Sequence, residues 1–295
     1  MTLHLRPLHE LFVAEATGVD LRTPIDDATL AEIVAALDRY AVLVLPGQAL
    51  SDAQQMDFSA RLGPLETTIK AYRPDHKARL DLHISDVSNL DENNRIMAPD
   101  DRRRMNGLGN RLWHTDSSFK AIPARYSLLS ARAIPGAGGE TEFADLRAAW
   151  DALPEDMQRR IEGLVAEHSI LHSRASIGFT DFSAEERARL QPVPQTLVRT
   201  HPGSGRKTLY LASHAGSIRG MALPEARLLL LDLMEHATQR AFVYTHRWRL
   251  HDLVIWDDRC TMHRAREYDA TVPRDMHRTT VSDGISTLAQ AGLAA

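Results

Sequence analysis

Short apolar runs closed by glycine or proline recur along this chain, and they most strongly limit the folds it can adopt. Residues 41–45 form one such run before Pro46-Gly47, and residues 202–206 (PGSGR) separate two more as a hairpin signature. Helical periodicity is confined to a few stretches, such as the apolar positions between Ala226 and Ala237. The pattern predicts a mainly β fold with helical insertions, either a β-sandwich or a jelly roll.

Local signals place the individual elements. Asp26 and Asp27 precede apolar positions at helical spacing, and Ser51 with Gln54 forms a capping box ahead of a helix that ends near Leu62. Further helices are predicted at residues 145–153, 155–164 and 226–237. Strands are predicted at residues 13–20, 41–45, 112–119, 126–133, 140–143, 165–170, 197–201, 208–212, 242–248, 252–256, 261–264 and 277–281.

Two long stretches, residues 66–110 and 171–196, lack a regular pattern. A long irregular insertion in a compact domain is usually a functional lid or a disordered loop. Because residues 66–110 lead directly into the strongest chemical motif of the chain, we favour a lid, and a surface loop without a role is the alternative. The tail at residues 286–295 is small and polar enough to fray. Without internal repeats, residues 1–295 are predicted to form a single domain.

Composition argues against several classes of partner. The net charge of −4 gives no electrostatic reason to expect nucleic acid. No apolar run approaches the length needed to span a membrane, and the N-terminus has no signal-peptide pattern. Cys260 is the single cysteine, so no intrachain disulfide can form, which fits a reducing compartment. These features predict a cytoplasmic protein without a membrane partner.

An imidazole and a carboxylate stand two residues apart at His114 and Asp116. Side chains at that spacing on a strand point to the same side, so the pair can hold one cation. Of the fourteen histidines, His114 alone is followed by an acidic residue at the second position. Two ligands hold a catalytic metal poorly, and His263 is the best candidate for the third. Two histidines and one carboxylate form the facial triad of non-haem Fe(II) oxygenases.

Two arginines that follow His263 add to this motif. Arg274 and Arg278 are four residues apart, which on a strand again places both side chains on one face. Guanidinium groups are suited to bidentate capture of a carboxylate. A site with a metal and two inward-pointing arginines is therefore predicted to bind anionic ligands. For either arginine taken alone, a solvated strand face is the alternative.

The order His114-x-Asp116, His263 and, after ten intervening residues, Arg274 resembles the TauD/TfdA family of 2-oxoglutarate-dependent Fe(II) dioxygenases. The resemblance covers nearly the whole chain and is strongest to the 2,4-dichlorophenoxyacetate dioxygenase group. Whole phrases outside the motif carry it, at residues 112–119 (LWHTDSSF), 125–131 (RYSLLSA), 198–202 (VRTHP) and 235–240 (EHATQR). The fold that it implies is the double-stranded β-helix, a jelly roll.

The resemblance also implies a role for each matching residue. His114, Asp116 and His263 are expected to bind Fe(II). Three residues are expected to serve 2-oxoglutarate: its distal carboxylate pairs with Arg274 and the Thr141 hydroxyl, and Trp256 walls its pocket. Three more are expected on the substrate side, where Arg278 holds the anionic group and where the pocket is lined by Asn110 and His214.

The chemistry implied by the resemblance uses Fe(II), 2-oxoglutarate and O2, with ascorbate expected to stimulate turnover. 2-Oxoglutarate is converted to succinate and CO2 while the substrate is hydroxylated. For an aryloxyalkanoate such as 2,4-dichlorophenoxyacetate, hydroxylation of the carbon next to the ether oxygen releases a phenol and glyoxylate. The expected partner is thus a small anionic organic molecule, and the expected process is herbicide or aromatic-compound catabolism.

Other readings remain open at this point. The same chemistry could act on taurine or another sulfonate, an alkyl sulfate or a phenylpropanoid acid, since a guanidinium binds all of these anions. A non-catalytic jelly-roll module that retains a metal predicts damage to a ligand or to Arg274, and none is seen. A zinc hydrolase does not need the Arg274 spacing. The helix from Pro224 fits a homo-oligomer interface, and core packing explains its apolar stripe equally well.

Overall fold

The computed structural model describes residues 2–68 and 78–294, and strands dominate its centre. The strands are β1 (His4–Pro7), β2 (Ala14–Thr17), β3 (Val42–Leu45), β4 (Ile84–Asp86), β5 (Ala124–Ala133), β6 (Thr141–Asp145), β7 (Val165–His168), β8 (Val193–Thr196), β9 (Val198–Thr200), β10 (Lys207–Leu209), β11 (Ala215–Ile218), β12 (Val243–His246), β13 (Leu253–Asp257), β14 (Thr261–Ala265) and β15 (Asp275–Ser282). The helices are α1 (Asp27–Tyr40), α2 (Asp52–Leu62), α3 (Arg102–Gly107), α4 (Leu146–Asp151), α5 (Glu155–Ile161), α6 (Ile170–Ala175), α7 (Ala184–Arg189), α8 (Leu223–Ala237) and α9 (Thr287–Gln290). Short 3₁₀ turns lie at Leu108–Arg111 and Arg240–Phe242.

Two facing sheets form the centre of the fold. The larger has seven strands in the order β1-β2-β3-β13-β5-β15-β4, and the smaller has the order β12-β6-β14. Strands that are distant in sequence lie side by side in both sheets, and this crossing of the chain is typical of a jelly roll. A further three-stranded sheet, β11-β7-β8, and the hairpin β9-β10 extend the structure. The mainly β prediction is confirmed.

Strand β13 shows why the larger sheet is buried on both faces. Its alternate residues Leu253 and Ile255 pack with the cluster that includes α1 and α2, while Val254 and Trp256 pack with Phe143 of the smaller sheet. Because side chains alternate between the faces of a strand, covering both faces selects an uninterrupted apolar run. The functional site therefore lies against the packed interface between the two sheets.

The residues that were predicted to start helices form capping hydrogen bonds. Asp26 accepts a hydrogen bond from the Thr29 backbone N–H at the start of α1, and Ser51 with Gln54 forms both bonds of a capping box at α2. In α8, the five residues of the predicted apolar stripe are all buried. Core packing thus accounts for that stripe. No helix among the described residues is long and apolar enough to cross a membrane.

Two stretches that were predicted to be irregular or frayed are ordered. Residues 171–196 contain most of α6, all of α7 and β8, because Ser169 and Ser183 cap the two short helices. The tail contains α9, which Ser286 caps and which buries Thr287, whose hydroxyl donates to Gln195 Oε1 at 2.7 Å. Within the predicted lid, residues 69–77 lie outside the described residues; the remainder contains β4 and α3.

Candidate functional site

The segment that carries His114 and Asp116 is not a regular strand, so the prediction of a strand at residues 112–119 is wrong. His114 forms an isolated antiparallel bridge with His263, its N–H donating at 3.0 Å and its carbonyl accepting at 2.8 Å. Beyond the bridge, the Asp116 N–H donates to the Asp258 side chain at 3.0 Å, and Ser117 adopts a φ of 53°. A side-chain acceptor and a left-handed residue replace the expected strand ladder.

This bridge and turn bring together the three predicted metal-binding side chains. Single ligand atoms of His114, Asp116 and His263 all lie within 4.8 Å of one another, and all three residues are buried. Asp116 Oδ1 is 3.9 Å from His114 Nε2, and Asp116 Oδ2 is 3.6 Å from His263 Nε2. His114 Nδ1 donates to the Leu112 carbonyl at 2.7 Å, which leaves the Nε2 lone pair facing the cluster.

The protonation states of the cluster suit a divalent cation. Burial lowers the pKa of His114, and burial together with His114 lowers the pKa of His263 well below its ordinary value. Burial opposes ionisation of Asp116, but Arg278 and the two histidines outweigh it and hold its pKa at about 2. Near neutral pH the site offers two neutral imidazoles and one carboxylate, the forms in which these groups bind metals. The residues present therefore fit Fe(II).

Two buried polar residues support the cluster and were not found from the sequence. Ser127 of β5 donates to Asp116 Oδ2 at 2.8 Å, and the carboxyl group of Asp258 accepts from the Asp116 backbone. Burial and the nearby Asp116 raise the pKa of Asp258 well above its ordinary value. The run Asp257-Asp258-Arg259 after a buried strand was the available signal for this pair. Between them, Ser127 and Asp258 fix the orientation of Asp116.

A cavity of about 260 Å³ opens onto the cluster. His114 and Asp116 line it, as do four other predicted site residues, namely Asn110, His214, Arg274 and Arg278. Most of the remaining wall comes from the described parts of residues 66–110, so this insertion borders the cavity rather than lying apart from it. Arg274 and Arg278 border one cavity, but not as two residues of one regular strand, because Arg274 precedes β15 and the pairing of β15 has a register irregularity between Asp275 and Met276.

Arg274 is a buried cation without an acidic partner among the described residues. The residue is 4% exposed, and within residues 2–68 and 78–294 its guanidinium donates only to the carbonyl groups of Val87, at 3.3 Å, and Gly139, at 3.4 Å. Burial lowers its pKa, yet a guanidinium stays charged in proteins. An uncompensated buried charge is costly, so this position calls for an anionic ligand.

Thr141 and Trp256 lie behind the cavity wall. The Thr141 hydroxyl accepts a hydrogen bond from Trp248 Nε1 at 3.0 Å, which leaves its own hydrogen free to donate. Trp248 is thus the residue that orients Thr141. Trp256 is fully buried, with its ring 4.7 Å from that of His263 and its Nε1 donating to Asp258 at 3.1 Å. It supports His263 from behind.

The substrate-side residues differ in their surroundings. Arg278 Nη1 lies 2.5 Å from Asp116 Oδ1, so this arginine already has an anionic partner. His214 is buried; its Nδ1 is 2.8 Å from Ser173 Oγ, and its ring packs edge-on against Phe119 at 5.0 Å. Asn110 lies in the 3₁₀ turn at Leu108–Arg111. All three border the cavity.

Three histidines away from the metal cluster, His201, His246 and His236, make hydrogen bonds that fit structural roles. His201 Nε2 lies 2.9 Å from Asp257, whose carboxylate also binds Arg259 through two guanidinium nitrogens. His246 pairs with Asp252 at 3.1 Å, and His236 bonds the Ala149 carbonyl at 2.8 Å. Although His201, Asp257 and Cys260 form a second close cluster, the Asp257 carboxylate is saturated by these bonds.

His277, next to Arg278, is expected to make the stability of the fold depend on pH. Burial opposes its charge, but Asp275 and Asp52 outweigh burial and raise its pKa above 6.5. A raised pKa gives stabilisation that is complete below the unfolded-state pKa and is lost as pH rises through the folded-state pKa. We therefore expect His277→Gln to cost more unfolding free energy near about pH 6 than near about pH 9. Urea unfolding at both pH values measures this; an equal or growing cost would contradict it.

A jelly roll with two histidines and one carboxylate beside a cavity that is lined by Arg274 and Arg278 defines a non-haem oxygenase architecture. The family model described as taurine catabolism dioxygenase TauD, TfdA family matches residues 4–280. The chain belongs to this family.

Individual relatives cover nearly the whole chain. It is 46% identical to the alpha-ketoglutarate-dependent 2,4-dichlorophenoxyacetate dioxygenase of Cupriavidus pinatubonensis, over 96% of this chain and 99% of the relative. It is 37% identical to the (S)-phenoxypropionate/alpha-ketoglutarate-dioxygenase of Sphingobium herbicidovorans, over 94% of each. The crystal structure of AAD-2 in complex with Mn(II) and N-oxalylglycine superposes with a TM-score of 0.90 at 50% identity, covering 97% of this chain and 99% of that one. The similarity to such structures confirms the jelly-roll prediction.

Proposed function

We propose that this protein is an Fe(II)- and 2-oxoglutarate-dependent dioxygenase that hydroxylates an aryloxyalkanoate, such as 2,4-dichlorophenoxyacetate, next to its ether oxygen. The observation that carries the proposal is the buried cluster of His114, Asp116 and His263, two of which line the same cavity as Arg274, a cation with no acidic partner among the described residues. The names of the relatives at 46% and 37% identity support the cosubstrate and the substrate class.

The metal in this proposal is held by His114, Asp116 and His263. Iron with 2-oxoglutarate supplies the oxidation: O2 is consumed, 2-oxoglutarate becomes succinate and CO2, and the substrate gains a hydroxyl group. Ascorbate is expected to stimulate turnover by keeping the metal reduced. The contribution of the chain is to fix the donor set, through the Leu112 carbonyl on His114 and Ser127 on Asp116.

The cosubstrate is bound through its distal carboxylate. Arg274 supplies the charge, and Thr141, whose hydrogen is left free by Trp248, donates to the same group. Trp256, expected from the resemblance to wall the cosubstrate pocket, does not line the described cavity and instead packs against His263. N-Oxalylglycine, present in the AAD-2 crystal structure, has the same two carboxylates as 2-oxoglutarate, so a protein with this fold accommodates a ligand of that shape.

The primary substrate occupies the other side of the cavity. Arg278 is proposed to bind its carboxylate, while Asn110 and His214 border the rest of the molecule. Apolar lining residues, including Phe119, Ile170 and Leu108, fit an aryl ring. Hydroxylation next to the ether oxygen gives a hemiacetal, which breaks down to a phenol and glyoxylate.

The alternative substrates fit this cavity less well. Taurine has no group for the apolar wall around Phe119, whereas an alkyl sulfate or a phenylpropanoid acid would use it and so remains the closer rival. A non-catalytic module or a zinc hydrolase has no use for the buried Arg274 beside the metal cluster. The aryloxyalkanoate is therefore the substrate that uses the most of the site.

The setting that we propose is the cytoplasm, with residues 1–295 acting as one domain. Cys260 is free and buried, which suits a reducing compartment. The net charge of −4 favours neither nucleic acid nor an anionic membrane surface. The proposed partner is a small anionic organic molecule. Measurement of the molecular mass in solution tests whether the protein forms a homo-oligomer.

The test is succinate formation by protein reconstituted with Fe(II) without oxygen and then exposed to air. 2-Oxoglutarate is supplied with phenoxyacetate, taurine or an alkyl sulfate in parallel. We expect succinate to form fastest with phenoxyacetate and an equal amount of phenol to appear. Coupling to another acid alone would overturn the substrate, and no succinate with any of them would overturn the proposed reaction.

A further inference from the structure

A second buried arginine in the same cavity has no assigned role. Arg174 is 8% exposed and lines the cavity wall. No carboxylate among the described residues lies within ion-pair distance of it. It is the one residue of 171–196 that reaches the cavity in the described part of the chain. An irregular-looking sequence segment thus delivers a single cation to the site.

Neutral groups hold this guanidinium in place. Nε donates to Asn106 Oδ1 at 2.9 Å and Nη1 donates to Ser173 Oγ at 3.3 Å, whereas Nη2 donates to none of the described residues. A Cβ atom at Gly109 would lie 2.2 Å from Nη1, so glycine is what leaves room for the group. The arginine is oriented by two helices and a turn without being neutralised.

The charge of Arg174 is unfavourable in the absence of a ligand. Burial lowers its pKa to about 10, and the nearby charge of Arg278 acts in the same direction. Buried cations are normally paired, because desolvation of an unpaired charge is expensive. Arg278 differs in this respect, since Asp116 already lies 2.5 Å from it. An anion beside Arg174 would remove the imbalance.

We propose that Arg174 is a substrate-binding residue that receives the anionic group of the primary substrate together with Arg278. This inference rests on the proposed function and adds a residue to it. Arg174 belongs to the substrate side, because the adjacent Ser173 holds His214, whose ring packs against Phe119. The two guanidiniums then recognise a carboxylate whose aryl group lies along Phe119.

The experiment measures binding without turnover. Calorimetry of Mn(II)-loaded protein, saturated with N-oxalylglycine, compares phenoxyacetate with its neutral amide in wild type and in Arg174→Gln. In Arg174→Gln, the loss of one partner of a buried charge pair should weaken phenoxyacetate binding at least about 30-fold. The affinity for the amide and the affinity for 2-oxoglutarate should stay within about threefold.

Two further variants sharpen the test. Arg111→Gln is the matched control, because Arg111 lines the same cavity but is 40% exposed and pairs with Glu267 at 3.3 Å; its carboxylate preference should match wild type. Gly109→Ala should reproduce the loss without removing the charge, because the new methyl group displaces the guanidinium. If Arg174→Gln keeps the wild-type preference for carboxylate over amide, the role of Arg174 is overturned.

The inference and the proposed function fail in different ways. Wild-type protein that binds phenoxyacetate no better than the amide would overturn the proposed substrate. Wild-type protein with a strong preference that Arg174→Gln retains would overturn Arg174 alone. A loss of preference that is accompanied by an equal loss of 2-oxoglutarate affinity would also overturn it, since the cavity as a whole would then have changed.

Discussion

Replacing His114 with alanine is expected to abolish metal binding and all turnover. His114 is one of only three ligand groups in the described cluster, and its Nε2 is oriented by the bond from Nδ1 to Leu112. Because loss of a supporting group alone costs about 10–100-fold in metal affinity, loss of a ligand should cost more than about 100-fold. Calorimetric titration of the metal-free variant with Mn(II), followed by the succinate assay with Fe(II), measures both effects.

The control for this variant is His83→Ala. His83 lines the same cavity, but its side chain is 44% exposed and pairs with Asp81 rather than with the cluster. Its replacement should leave Mn(II) affinity unchanged, so that a general effect of removing an imidazole is excluded. Stoichiometric Mn(II) binding by His114→Ala at wild-type affinity would show that the ligand assignment is wrong.

Much of the scaffold could be predicted from local sequence signals. The capping groups Asp26 and Ser51 act on their own helices, and the apolar run of β13 follows directly from burial on both faces. Such signals are local, because each depends on residues within a few positions of one another. Strand pairing partners were not predictable in this way, since β13 pairs with β3 and β5, which are far away in sequence.

The site was predictable where a motif carried it and not where tertiary contacts build it. The grouping of His114, Asp116 and His263 was anticipated, but the strand expected for it was not formed, because the Asp258 side chain takes the Asp116 N–H. Arg174 gave no sequence signal. Its position depends on Asn106 and on Gly109, both more than sixty residues earlier in the chain.

The ordered structure of residues 171–196 likewise depends on contacts with residues that are distant in sequence. Arg102 of α3 pairs with Asp181 at 2.5 Å and with Glu186 at 3.0 Å, which joins residues 66–110 to residues 171–196. Exposed ion pairs contribute little on their own, but these lie beside Phe179, which is buried and 5.5 Å from the Arg102 guanidinium. That these two insertions act as a lid stays a prediction.

Arg274→Met is expected to lose 2-oxoglutarate binding while keeping the stability of the ligand-free protein. Removing one partner of a buried charge pair costs about 3 kcal/mol, or more than about 100-fold in affinity. The ligand-free protein should change by less than about 1 kcal/mol, because Arg274 has no acidic partner to lose in the described part of the chain and an apolar side chain removes the desolvation cost. Calorimetry of the Mn(II)-loaded variant with 2-oxoglutarate and urea unfolding of the metal-free variant give the two quantities.

Arg266→Met is the matched control, because Arg266 lines the same cavity while its side chain is 49% exposed and lies near Glu142. It should bind 2-oxoglutarate as wild type does. The opposite combination in Arg274→Met, preserved 2-oxoglutarate affinity with a large loss of stability, would identify Arg274 as a structural cation. A buried charge kept for a ligand lowers stability until the ligand binds, whereas a structural charge stabilises the protein from the start, and these two measurements separate the cases.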